Sequence, residues 1–284
     1  MNSKKKSIVI TSALRTAIGT FNGALKDMQA HDLGSIVIKE VIKKSKLKPD
    51  EIDEIIMGQV LTSATGQNPA RQAAIKAKIP IKKTAYVINQ VCGSGLRSIA
   101  AGYQSILSND SKIVIAGGQE SMTNAPHTIN FRNKRKIKET ELEDSMIKDG
   151  LLDAFNNYHM GITAENVAEK YSIDRVRQEE FALESHKKSA LAQQNGLFDS
   201  EICPIIIGDA EVESDGCIRP TSNLESMAGL NPVFKESGTV TAATSSPLTD
   251  GVTFAIVCSE RFATEKNLTP IARIVSTSVT GCPP

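Results

Sequence analysis

The chain reads as an α/β protein interrupted by an insertion, and three observations carry that reading. From Ser7 to Ala116, apolar strand-like runs alternate with helical stretches, the pattern of a parallel sheet with crossover helices. After Thr123 the composition shifts to a charged run and then to a stretch rich in Pro, Gly and Ser. At residues 251–257 the strand pattern returns, so the chain goes back to its sheet. With 284 residues, 40% of them hydrophobic, there is enough apolar side chain for a sizeable core in one large or two modest domains.

Each element follows from local pattern. Ser7-Ile8-Val9-Ile10-Thr11 is the first expected strand. A helix opens at His31-Asp32-Leu33, with Leu33, Val37, Val41 and Ile42 on one face and Lys43, Lys44 and Lys46 near its C-terminal end, where cations suit the helix dipole. Glu54-Ile55-Ile56-Met57-Gly58 is the second strand, Pro69 starts a helix over 70–78, and 85–91 is the third strand. Ser94 to Ala101 reads as a helix packing Leu96, Ile99 and Ala100 against a sheet, and Lys112-Ile113-Val114-Ile115-Ala116 is the next strand. The basic run 130–138 and the acidic run 139–144 read as a solvated loop. Asp174 starts an amphipathic helix carrying Phe181, Leu183 and Leu191, which stops at Asn195-Gly196. The stretch from there to Leu248 is too irregular for regular structure throughout. A strand over 251–257, a helix over 259–266 and a strand at Ala272-Arg273-Ile274-Val275-Ser276 complete the pattern.

Composition excludes several function classes. A formal charge of +1 gives no global attraction to nucleic acid or to an anionic membrane surface, so an anionic ligand must be met locally. No apolar run approaches the roughly 20 residues of a spanning helix, and the start, Met1-Asn2-Ser3-Lys4-Lys5-Lys6, is not a signal-peptide core, which points to the cytoplasm. The five cysteines, at 92, 203, 217, 258 and 282, are odd in number, far apart and without a CxxC pair. That argues for a reducing compartment and against a disulfide framework or zinc site. Cys203 and Cys258 sit in apolar stretches and read as core residues. The four histidines, at 31, 127, 159 and 186, show no metal-ligand spacing, so no metal is indicated, and His127 and His186 read as surface residues.

The run Val87-Ile88-Asn89-Gln90-Val91-Cys92-Gly93-Ser94-Gly95-Leu96 places one cysteine where a strand hands over to a helix, at the carboxyl edge of the sheet, where ligands of open α/β folds bind. Gly93 and Gly95 remove β-carbons that would crowd a sharp turn. A thiol at a helix N-terminus gains thiolate character from the dipole and from unpaired N–H groups, which makes Cys92 a candidate nucleophile. The alternative at this point is a free cysteine used as a small apolar residue.

Cys92-Gly93-Ser94-Gly95-Leu96 resembles the nucleophile motif of the thiolase family, and Gly117-Gly118-Gln119-Glu120-Ser121-Met122-Thr123 resembles its second signature. Arg15-Thr16-Ala17-Ile18-Gly19, Gly66-Gln67-Asn68-Pro69-Ala70-Arg71-Gln72-Ala73, Tyr158-His159-Met160-Gly161 and Gly238-Thr239-Val240-Thr241-Ala242 follow in thiolase order and spacing. The resemblance implies a thiolase-like N-terminal half, a βαβαβαβ mixed sheet with helices on both faces. Residues 1–123 would be the first part of the lobe, 124–248 a loop domain for coenzyme A and oligomer contacts, and 249–276 the return to the lobe. Residues 277–284 would begin the connection to a C-terminal half absent from this sequence. The chain around 130–144 would then be an oligomer contact rather than only a solvated loop.

By the same resemblance Cys92 accepts an acyl group from a coenzyme A thioester, in a Claisen condensation of two acetyl-CoA or in thiolysis of a 3-ketoacyl-CoA. Leu151, His159 and Met160 match the wall of the pantetheine tunnel, Arg219 a residue beside the adenine, and Ser226, Phe234, Ala242, Ser246 and Leu248 further coenzyme A contacts. Acetyl-CoA, 3-ketoacyl-CoA and CoA are the implied ligands, used as substrates with no resident cofactor, and a homodimer or homotetramer is the implied assembly, with no nucleic acid or membrane partner. The family's Asn-Glu-Ala-Phe, Gly-His-Pro and Cys-Gly-Gly-Gly strings do not occur here, which implies low activity for these residues alone. Cys282, followed by two prolines, does not stand in for the second cysteine. Two departures leave alternatives open. The run from Ala242 to Asp250 looks closer to thiolases of fatty-acid β-oxidation, whereas the Cys92 and His159 strings look like the acetyl-CoA acetyltransferase branch, which is favoured. A catalytically incompetent fragment that folds and binds CoA and a ketoacyl synthase are the other readings.

Overall fold

The computed structural model describes residues 6–132 and 142–283. In chain order its main elements are β1 (Ile8–Arg15), α1 (Ala30–Lys44), β2 (Glu54–Gly58), α2 (Pro69–Lys76), β3 (Thr84–Ile88), α3 (Ser94–Ser108) and β4 (Ile113–Ser121). There follow α4 (Met160–Lys170), α5 (Arg175–Gln194), the hairpin strands β5 (Ile205–Ile207) and β6 (Ala210–Val212), α6 (Leu224–Ala228), β7 (Thr249–Ser259), α7 (Glu260–Glu265) and β8 (Ala272–Arg273). The chain divides into two compact units. The first comprises Met1–Ala125, Ser200–Ser214 and Thr249–Gly281, and the second comprises Pro126–Asp199, Asp215–Leu248 and Cys282–Pro284. The segment 200–214 thus belongs with the sheet rather than with one continuous insertion over 124–248. Backbone explains it: Arg15 N–H donates to Glu201 O at 2.8 Å and Cys203 N–H to Arg15 O at 2.7 Å. The charged run over 130–144 falls mostly outside the described residues.

In the first unit the sheet runs β8-β1-β7-β4-β2-β3, with Gly19–Thr20 paired to β7. It is mixed. β2 pairs in parallel with β3 and β4, but β7 is antiparallel to both β1 and β4. The strand alternation splits the apolar residues between two clusters. Ile55, Met57, Ile113 and Ile115 face α1 and α2 with Leu33, Val37, Val41, Ala70 and Ala73, while Ile56, Val114, Ala116 and Val257 face α3 through Ile106. The expected face of α1 is buried throughout, with Asp32 in its first turn and Lys43 and Lys44 in its last. Pro69 opens α2, and Asn68 caps it, its Oδ1 accepting the Arg71 N–H.

Two helix faces differ from expectation. Leu96 is 77% exposed, and α3 instead turns Ser94, Ser98, Ala100, Gly102 and Ile106 inward. Small residues dominate because the helix lies close to the sheet: a β-carbon on Gly102 would come 3.2 Å from Val114. On α5 the exposed residues include Phe181 and Leu191, and the buried ones are Leu183 and Glu179. The irregular stretch holds a hairpin, β5–β6, and the short helix α6, and the last strand is only Ala272–Arg273. Both apolar clusters lie in the first unit. The second unit buries few apolar side chains, among them Met146, Ala168, Leu183, Met227 and Val240, together with the carboxylates Glu165 and Glu179.

Candidate active site

β3 ends at Ile88 and the chain turns sharply before α3. The turn is closed by side chains: Asn89 Oδ1 accepts the Val91 N–H at 2.9 Å, and Ser94 Oγ accepts the Gln90 N–H at 2.8 Å while donating to Val91 O at 2.5 Å. Val91, a β-branched residue, is held at φ 47°, a left-handed conformation that costs about 1–2 kcal/mol. Gly93 has an ordinary helical φ of −79°, but a β-carbon on it would come 3.3 Å from Gln90 O, the crowding in the turn that the sequence implied. The strain sits one residue before Cys92, whose side chain is exposed.

Two further glycines set how α3 meets the sheet. A β-carbon on Gly58 would stand 2.3 Å from the carbonyl carbon of Ser94, and one on Gly118 would stand 3.3 Å from Gly95 Cα. Bare backbone at the end of β2 and within β4 therefore lets the start of α3 sit on the sheet, which fixes where Cys92 emerges. The second signature fixes the chain after β2. Gln119 Nε2 donates to Gln59 Oε1 at 2.8 Å, and Glu120 accepts the N–H groups of Val60 and Leu61 at 2.8 and 3.0 Å. Burial raises the Glu120 pKa, and those two N–H groups only partly offset it. Among the other thiols, burial raises Cys203 and Cys217 and pushes Cys258 up to about 11. Cys203 and Cys258 are buried, as the apolar context implied, and Cys92 and Cys282 are exposed.

In the second unit His159 caps α4, its Nδ1 accepting the Gly161 N–H at 3.0 Å, and its ring stacks on Phe234 with centroids 4.9 Å apart. A β-carbon on Gly161 would meet the Phe234 ring at 2.1 Å, so that glycine is required for the stack. Met160 begins α4, 37% exposed, and Leu151 is half-buried. Arg219, Ser226 and Ala242 line one cavity of about 710 Å³, completed by residues that sequence reasoning missed, including Thr221, Asn223, Met227 and Leu230. His159, Met160, Phe234, Leu151, Ser246 and Leu248 are not in that lining. Ser246 is exposed and Leu248 half-buried.

Polar groups tie the loops of this unit together. Glu165, only 5% exposed, accepts the N–H of Thr239 at 2.9 Å, that of Val240 at 2.8 Å and the Thr239 hydroxyl at 3.0 Å. Burial acts to raise its pKa, but these bonds together, with Lys235 adding, hold it below the usual carboxylate range. His186 is not a bare surface residue, since its Nδ1 accepts the Arg219 N–H at 3.2 Å. No group of three His, Cys, Asp or Glu among the described residues could hold a metal ion, and no helix among them is long and apolar enough to cross a membrane.

An exposed cysteine on a strained strand-to-helix turn, framed by glycine contacts, sits on a sheet whose sequence matches the thiolase N-terminal domain over residues 8–261. The chain belongs to the thiolase family. It is 49% identical over 282 residues to the acetyl-CoA acetyltransferase of Rhizobium meliloti (strain 1021), covering 98% of this chain and 72% of the relative. It is 45% identical over 290 residues to the cytosolic acetyl-CoA acetyltransferase of Mus musculus, covering 73% of that protein. The crystal structure of the Bacillus anthracis acetyl-CoA acetyltransferase superposes with a TM-score of 0.92 at 37% identity, over 95% of this chain and 70% of that one.

Proposed function

We propose that this chain is an acetyl-CoA acetyltransferase in which Cys92 carries the acyl group. The observation that carries the proposal is the exposed Cys92 thiol on the strained turn before α3, in a thiolase sequence. The Cys92 thiolate attacks the thioester carbonyl of acetyl-CoA, forming a C–S bond and a tetrahedral oxyanion. Collapse of that intermediate breaks the bond to CoA, whose thiolate leaves and takes up a proton. The Cys92 backbone N–H, near the helix start, is the proposed donor to the oxyanion. In condensation a second acetyl-CoA gives up a C2 proton to a base and that carbon attacks the acetyl-enzyme carbonyl, so that a C–C bond forms as the C–S bond to Cys92 breaks. In thiolysis Cys92 attacks the 3-keto carbon, the C2–C3 bond breaks with C2 taking up a proton and leaving as acetyl-CoA, and CoA thiolate then displaces Cys92 from the acyl group.

Arg219, Ser226 and Ala242 are assigned to the nucleotide end of CoA, because a cation and hydroxyls around one cavity suit phosphate and ribose. His159, Met160, Phe234, Leu151, Ser246 and Leu248 are assigned to the pantetheine arm. No metal or resident cofactor enters this scheme. A cytoplasmic homodimer or homotetramer is the assembly proposed. Because the Asn-Glu-Ala-Phe, Gly-His-Pro and Cys-Gly-Gly-Gly strings do not occur in these 284 residues, they are proposed to turn over slowly when assayed by themselves. The run from Ala242 to Asp250 favours a second reading, thiolysis of longer 3-ketoacyl chains.

Incubation with acetyl-CoA followed by peptide mass spectrometry tests the main reading. An acetyl group on the Cys92 peptide is expected, and no adduct, or one on Cys282 alone, defeats it. Comparing acetoacetyl-CoA with longer 3-ketoacyl-CoA substrates decides between the two chain-length readings.

A further inference from the structure

Arg175, in the first turn of α5, makes contacts that neither the nucleophile nor the proposed ligand contacts explain. Its Nη2 donates to the carbonyls of Met227 and Ala228 at 3.0 Å each and of Leu230 at 2.6 Å, and its Nε donates to Glu179 Oε1 at 2.7 Å. Glu179 is only 4% exposed, so the guanidinium is locked by a carboxylate that itself needs this partner. Met227 and Leu230 both line the 710 Å³ cavity, and Ser226 stands beside them on α6. That helix has only five residues, too short to hold its own shape in isolation. Its N-terminal end is tied by Asn223, whose Oδ1 accepts the Ser226 N–H at 2.9 Å, and its C-terminal carbonyls are gathered by Arg175.

We propose that Arg175, oriented by Glu179, is a positioning residue for the coenzyme A cavity, shaping the 226–230 wall without touching the ligand. The inference rests on the assignment of that cavity to the nucleotide end of CoA. Lysine cannot replace it fully, because only a planar fork spans a carboxylate and several carbonyls at once.

The test is isothermal titration of the 284-residue chain with CoA and with adenosine 3′,5′-bisphosphate, which carries the nucleotide end alone. The double variant R175M/E179M removes the clamp without stranding a buried carboxylate. We expect it to keep its thermal midpoint and the iodoacetamide rate of Cys92, while binding both ligands at least tenfold more weakly. Arg175→Lys, which keeps the ion pair, is expected to weaken both at least threefold, and it carries the test should the double variant not fold. Affinity within twofold of the parent in Arg175→Lys, or in a folded double variant, overturns the positioning role. Equal loss of binding, midpoint and Cys92 reactivity in both variants overturns it too, since that is the signature of general destabilisation. A parent chain that binds neither ligand fails at the earlier step, the cavity assignment, as would an Arg219→Ala variant that binds CoA unchanged.

Discussion

The two units hold their functional side chains by different physics. In the first, Cys92 is placed by aliphatic clusters on both faces of a sheet and by glycines that let backbone touch backbone. In the second, few apolar residues are buried, and charged and polar side chains hold the loops: Arg175 with Glu179 at Met227–Leu230, His186 at Arg219, and Glu165 at Thr239 and Val240. Cys92 therefore stands on a frame set by close backbone packing, and the 710 Å³ cavity on one set by hydrogen bonds to charged side chains. The contrast teaches that volume errors should damage the first region and polarity errors the second.

The largest effect should come from the thiol itself. Cys92→Ser is expected to slow acyl transfer by about a thousandfold or more, read as acetylation or as turnover, with an unchanged unfolding midpoint. Next comes the added atom: Gly58→Ala should cost about 3 kcal/mol, measured by urea unfolding, because its methyl would meet the backbone of Ser94. A loss under about 0.5 kcal/mol would mean that α3 shifts freely and that glycine contacts do not set the position of Cys92.

The matching loss in the second unit is Glu165→Ala, expected to cost about 2–3 kcal/mol at neutral pH by leaving the Thr239 and Val240 N–H groups unpaired. Because Glu165 is held below the usual carboxylate range, its contribution is complete above that range and fades as pH falls through it, so the gap between variant and parent should close in acid. Glu120 should behave oppositely. Burial raises its pKa, so its folded state favours the proton, and Glu120→Gln should gain stability over the parent as pH rises through the carboxylate range and lose that advantage in acid. Parallel pH slopes for the two variants would erase the distinction between the regions.

The smallest effect concerns strain. Val91→Gly should be as stable as the parent or better by up to about 1 kcal/mol, since glycine adopts the left-handed conformation without penalty while gaining freedom when unfolded. A clear loss in chemical denaturation would show that the Val91 side chain earns its place through packing.

Much of the first unit was legible because hydrophobic periodicity reports burial. Leu33, Val37 and Val41, or Ile55 and Met57, announce their elements, and the buried face of α1 matches its pattern. The pattern failed on α3, where Leu96 faces outward, because this helix packs on the sheet largely through serine, alanine and glycine, which no apolar count detects. It failed on α5 for the converse reason: Glu179 is buried because Arg175 pairs with it, and a carboxylate in a charged helix reads as surface. The family strings pointed to Cys92 and Arg219 as residues. Asn89 and Ser94, which lock the turn, are ordinary turn formers in sequence and become recognisable only through the left-handed φ of Val91.

β7 lies between β1 and β4, yet it is the penultimate strand of the sheet to be made. During translation its two flanking neighbours exist long before it does, with their edges unpaired, while the chain from β4 onward is still emerging. At about 5–20 residues per second that wait is on the order of ten seconds. Closing the gap requires contacts of very high sequence separation, such as Ile8 with Ser259, so folding should be slow and late rather than progressive. Until β7 is made, the facing edges of β1 and β4 present unpaired backbone groups, the kind of edge on which another strand can pair.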